Sequence, residues 1–114
     1  MTVSKIEIVP EQKRDAVSFV FPGDVLSTTA ESLRLRLEEV LRDRPAGTLD
    51  CFEADLRAAR MVDSVGLNLL VWLWRAVTGR GGRLRVLVSS PDVERTFKFT
   101  RFSERADVQR IQNG

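Results

Sequence analysis

The fold is decided between residues 49 and 88. The stretch begins Leu49-Asp50-Cys51-Phe52-Glu53-Ala54-Asp55-Leu56 and continues, after a short connection, with Asp63-Ser64-Val65-Gly66-Leu67-Asn68-Leu69-Leu70-Val71-Trp72-Leu73-Trp74-Arg75-Ala76-Val77-Thr78. It ends with Gly79-Arg80-Gly81-Gly82 and Arg83-Leu84-Arg85-Val86-Leu87-Val88. Leu84, Val86 and Val88 recur at every second position, the period of a strand. The middle block is apolar nearly all round, opens on a capping residue, Asp63 or Ser64, and ends in a glycine-rich stop, which describes a helix buried on more than one side. In the first block Cys51, Phe52 and Ala54 suggest a buried strand while Asp50, Glu53 and Asp55 interrupt it; we assign a strand. Strand, crossover helix and strand in that order predict a parallel pair joined right-handedly.

Working outward, Ile6-Glu7-Ile8 alternates, Glu11 to Asp15 supplies a polar turn, and Val17, Phe19 and Phe21 alternate again before Pro22-Gly23, so the chain is expected to open with a β-hairpin. Between Thr28 and Arg44 the period changes: Leu33, Leu37, Val40 and Leu41 share one helical face, with Thr28 as N-cap, Glu31 as its reciprocal partner, and Pro45 and Gly47 as the stop. Ser90-Pro91-Asp92 is a helix start whose inner face is Val93 and Phe97. Ala106, Val108 and Ile111 are expected to close the domain with a short strand or helix. The predicted class is α/β: one domain covering residues 1–114, its core about 5–111, with a mostly parallel sheet of four to five strands and crossover helices.

Composition narrows the function. At 114 residues there is room for one domain, and 43% hydrophobic with 30% charged residues is globular. No histidine is present, which removes Ser-His-Asp and Cys-His catalysis and every His-containing metal site, and Cys51 is the only cysteine, so no cysteine cluster replaces them. No metal site and no cofactor are expected. The formal charge is only +2, too little for a typical nucleic-acid binder, although residues 75–110 carry eight arginines and Lys98 against Asp92, Glu94, Glu104 and Asp107. The start lacks the apolar core of a signal peptide, and the run Leu67–Val77, broken by Asn68, is far short of the about 20 residues of a spanning helix, so a cytoplasmic protein without a membrane span is expected. Gly79-Arg80-Gly81-Gly82 lacks the spacing and lysine of a phosphate-binding loop. Asp55 and Asp63 are the only candidates for acid and base, with nothing around them to support catalysis, and we expect no enzyme.

Two local features stand out. Gly66 in the first turn of a helix costs about 1 kcal/mol relative to alanine unless close approach requires it. Ser64 lies at the positive end of the same helix, where a phosphate is electrostatically favoured, although a serine there serves most often as a cap alone. Trp72 and Trp74 read either as core or as part of a docking face.

These residues resemble a family. Asp63-Ser64-Val65-Gly66-Leu67, following the strand that ends in Asp55-Leu56 and preceding an apolar helix and Gly81-Gly82-Arg83-Leu84, is similar to the STAS domain of bacterial anti-sigma factor antagonists, with Gly23, Thr28-Thr29-Ala30 and Ser90-Pro91-Asp92-Val93 in matching places. The resemblance implies a switch protein in which Ser64 is phosphorylated by a serine kinase that is also the anti-sigma factor and has a histidine-kinase-like ATPase fold. The unphosphorylated form binds that kinase, and a serine phosphatase restores binding. Asp24, Ser27, Asp63, Ser64, Val65, Gly66, Leu67 and Asn68 form the implied contact surface. The partner brings the ATP and Mg²⁺. The alternative is a STAS accessory subunit of a transporter or signalling complex that uses the same helix as a constitutive docking face. Two positions depart from the family pattern: Gly23-Asp24-Val25-Leu26 replaces Gly-x-Leu-Asp, and Arg101 stands where a glycine is usual.

Overall fold

The computed structural model describes residues 15–111. Four strands, β1 (Asp15–Val20), β2 (Leu49–Leu56), β3 (Arg83–Val88) and β4 (Asp107–Arg110), form one sheet in the order β1-β2-β3-β4. Every neighbouring pair is parallel. The crossovers are α1 (Ala30–Arg42), α2 (Ser64–Thr78) and α3 (Pro91–Phe99), the last followed by a 3₁₀ turn, Phe102–Glu104. The anticipated first strand of the hairpin, Ile6–Ile8, lies outside the described residues; the anticipated second strand is β1.

A sheet wound in one direction by crossovers of one hand places all its helices on one face. The burial pattern agrees. In the central strands Phe52, Ala54 and Leu56 are paired in register with Leu84, Val86 and Val88, and all six are buried beneath the helices. Leu37 and Leu41 of α1, Leu70, Leu73 and Val77 of α2, and Val93 and Phe97 of α3 close the core from above. The other face carries the intervening residues, including a transverse row Ser18, Glu53, Arg85 and Asp107. Glu53 and Asp55 alternate away from the helices, and Asp55, buried even on that side, is compensated by its ion pair with Arg57.

The first helix departs from its anticipated start. Thr28 does not cap it; the helix begins at Ala30 with Thr29 in the N-cap position and no side-chain cap. The Thr29 hydroxyl instead accepts from the Leu26 N–H at 3.1 Å, tightening the preceding turn, while the Leu26 carbonyl accepts from the Ala30 N–H at 2.8 Å. At the far end α1 stops at Arg42 rather than Arg44, whose guanidinium pairs with Asp15. The other helix starts follow their sequence signals. Asp63 caps α2 and Ser90 caps α3, its hydroxyl accepting from the N–H groups of Asp92 and Val93. Gly81 leaves α2 with φ 85°, the left-handed exit that glycine permits. Among the described residues no helix is long and apolar enough to cross a membrane.

Candidate functional site

At the carboxyl end of the sheet two loops are tied together by two carboxylates. Asp24, in the loop after β1, reaches the loop after β2, where its Oδ1 accepts from the backbone N–H groups of Arg60 at 2.7 Å and Met61 at 3.1 Å. Asp63, at the end of the second loop, returns the contact: Oδ1 accepts from the Gly66 N–H at 2.8 Å as the α2 cap and Oδ2 from the Ser27 N–H at 2.8 Å. A short backbone pairing runs between them, from the Val25 N–H to the Met61 carbonyl and from the Asp63 N–H to the Val25 carbonyl. Hydrogen bonds from the Gly66 N–H, and then from Ser27, hold the Asp63 carboxyl below the ordinary aspartate range.

Gly66 is where this junction is tightest. A Cβ built on it would lie 1.9 Å from the Val25 carbonyl oxygen, so only glycine lets α2 enter this close to the first loop. The cost of glycine in the first turn is thereby explained by an approach within the molecule.

The candidate contact residues gather at this end, in two kinds. Asp24, Asp63 and Gly66 are committed to the junction. Ser27, Ser64, Val65 and Asn68 are exposed, and Leu67 is half-buried. Ser64 occupies the first helical position of α2, with its hydroxyl making no hydrogen bond among the described residues. Val65 stays 44% exposed, an apolar surface beside the serine. It joins Ser27, Ala30, Glu31, Arg34, Asn68 and Leu69 around a groove of about 340 Å³ between the starts of α1 and α2.

Sequence reasoning missed the backbone of Val25 and Met61, since main-chain pairing between loops has no side-chain signature; the glycine at position 66 was the one trace of it. Both tryptophans are half-buried and each lies under an arginine: Arg34 is 4.6 Å from the Trp72 ring centroid and Arg105 is 5.2 Å from that of Trp74. A second hollow, of about 460 Å³, adjoins the site between Arg57, Arg60 and the start of α3. Arg57 there is committed to Asp55 by paired hydrogen bonds of 3.0 and 2.8 Å, which are the main cause of the lowered Asp55 carboxyl.

Comparison with solved structures places this architecture. A sulfate transporter family protein from Wolinella succinogenes is similar with a TM-score of 0.67 and 20% identity, over 84% of this chain and 78% of that one. The anti-sigma factor antagonist SpoIIAA in its unphosphorylated form is similar with a TM-score of 0.60 and 18% identity, over 90% of this chain and 84% of that one. The sequence model of the STAS domain matches residues 7–112, and the chain belongs to the STAS domain family.

Proposed function

We propose that this chain is an anti-sigma factor antagonist that works by switching partners. In its unphosphorylated form it docks, through the first turn of α2 and the loop Asp24–Ser27, on a serine kinase that also serves as the anti-sigma factor and has a histidine-kinase-like ATPase fold. The observation that carries this reading is Ser64: an exposed serine whose hydroxyl has no hydrogen-bond partner among the described residues, beside an exposed valine, on a helix start fixed by Asp63 and Gly66. Phosphorylation adds up to two negative charges at the centre of that surface. In the free protein the helix start and solvent accommodate them. In a closed interface they are desolvated next to Asp63, whose lowered carboxyl is ionised, at a cost of several kcal/mol that ends the complex. A serine phosphatase reverses the switch.

The protein in this reading acts by binding in the cytoplasm and performs no chemistry. Its two best-placed carboxylates suit that role poorly as catalysts and well as struts, because Asp55 is ion-paired with Arg57 and Asp63 is saturated by backbone donors. The test is incubation of the full chain with the genetically linked kinase and ATP, followed by mass spectrometry and binding measurements. Modification at Ser64, retained kinase binding by Ser64→Ala and lost binding by Ser64→Asp are expected. Modification only at Ser27, Thr28 or Ser89, or equal binding by all three forms, overturns the switch.

One observation favours a second reading, a constitutive subunit of a transporter or signalling complex. The two half-buried tryptophans on different sides of α2, together with the likeness to the sulfate transporter family protein, fit permanent docking, in which case a transporter ATPase co-purifies and Ser64 variants bind it equally.

A further inference from the structure

The outer face of α3 is uncovered. Val93 and Phe97 turn the inner face into the core, so Pro91, Asp92, Arg95, Lys98 and Phe99, at helical spacing, form a stripe that faces away from it. Pro91 is exposed, and the side chains of Asp92, Arg95 and Lys98 are 77%, 74% and 69% exposed. Phe99 keeps 88% of its surface in solvent, more than any other large hydrophobic residue described. The stripe thus has a proline at one end and a phenyl ring at the other, about 12 Å apart along the helix axis.

The charges of α3 are balanced and ordered. Asp92 and Glu94 stand before Arg95 and Lys98, so the helix carries no net charge and runs from acidic to basic. Within the chain they are already matched, Asp92 with Arg95 at 3.1 Å, and Glu94 with Arg110 at 3.4 Å and Lys98 at 3.8 Å. A surface of one strong sign calls for an oppositely charged partner; a neutral one around an exposed ring does not. A second copy always brings the same net charge, so only a neutral face is buried against itself without repulsion. A helix that is acidic first and basic last is its own complement when turned end for end.

We propose that two copies of this chain dock through α3, with the two helices antiparallel about a two-fold axis at Arg95. Phe99 and Pro91 lie equally far to either side of Arg95, and so do Lys98 and Asp92. This register therefore sets Phe99 of one copy on Pro91 of the other, and Lys98 opposite Asp92. Each phenyl ring leaves water against a flat, exposed pyrrolidine. Lys98 gives up only its long 3.8 Å contact with Glu94, which keeps Arg110. Arg95 meets its own counterpart at the axis, and the Asp92 carboxylate beside it already neutralises it. One nine-residue helix per copy covers less than the roughly 800 Å² per partner of a standard interface, so the association is weak and depends on concentration.

The test is sedimentation equilibrium of the full chain from about 10 μM to about 1 mM, over which the dimer fraction should grow. Phe99→Ser should raise the dissociation constant about tenfold and leave the melting temperature unchanged, because the ring is exposed. Lys98→Asp should weaken the dimer about threefold, and adding Asp92→Lys should restore it. Residues 92 and 98 do not face each other within one helix, so this rescue reports a contact between copies. In a Cys51→Ser background, Arg95→Cys should form a disulfide between copies on mild oxidation, whereas Leu35→Cys, exposed on α1, should not. A monomer throughout the range overturns the proposal and leaves the ring to a different protein. A dimer that keeps its strength in Phe99→Ser, or equal cross-linking at positions 35 and 95, also overturns it.

Discussion

At the scale of single residues, the loop junction rests on Asp24, Asp63 and Gly66. Replacing Gly66 by alanine improves helix propensity and still destabilises, because the new methyl meets the Val25 carbonyl; a loss of about 2 kcal/mol or more in urea unfolding is expected. Asp63 sets a pH dependence. Its carboxyl is lowered by the Gly66 and Ser27 N–H groups, so the stabilisation it gives is complete above the ordinary aspartate value of about 3.9 and is lost as pH falls through its own lower value. A carboxyl carbon NMR titration should find Asp63 titrating below the ordinary aspartate value of about 3.9, and Asp63→Asn should speed amide exchange at Ser27 and Gly66. The sequence marked Asp63 through its place before a helix and Gly66 through its cost. It gave no sign that Asp24 serves the other loop, because the two ends of that contact lie 36 and 37 residues apart.

Among the elements, α3 shows what a cap and an exit are worth. Ser90 satisfies two N–H groups of the first turn, and Ser90→Ala should cost about 1 kcal/mol by thermal or urea unfolding. Arg101→Gly at the other end should add about 1 kcal/mol by relieving the left-handed conformation. The start of α3 was legible because serine, proline and aspartate each have a distinct reason to stand there. The start of α1 was not: Thr28 with Glu31 fits the capping box and Thr29 with Ser32 does not, yet the helix begins after Thr29, whose hydroxyl closes the preceding turn. Alternation made β3 plain. In β2 the polar residues obscured an element whose outward face is half-buried and carries the ion-paired Asp55, and its parallel neighbours could be inferred only from the crossover helices.

For the whole molecule, the position of Ser64 dictates what kind of switch it can be. Ser64 is exposed and its hydroxyl makes no hydrogen bond among the described residues, so phosphorylation should leave the fold unchanged and act at the proposed interface alone. Amide shifts on phosphorylation are expected within residues 24–28 and 61–68, with the protection of β2 and β3 unaltered; a global change in exchange rates would instead identify a conformational switch. The strand order β1-β2-β3-β4 carries a reading in time as well as in space. Each strand is laid beside the one made just before it, and every residue of the loop junction precedes β3. At synthesis rates of about 5–20 residues per second, Ser64 is made roughly 2–9 s before β4 begins. The loop junction and Ser64 are thus written early in the life of each chain, before the ribosome delivers the last edge of the sheet.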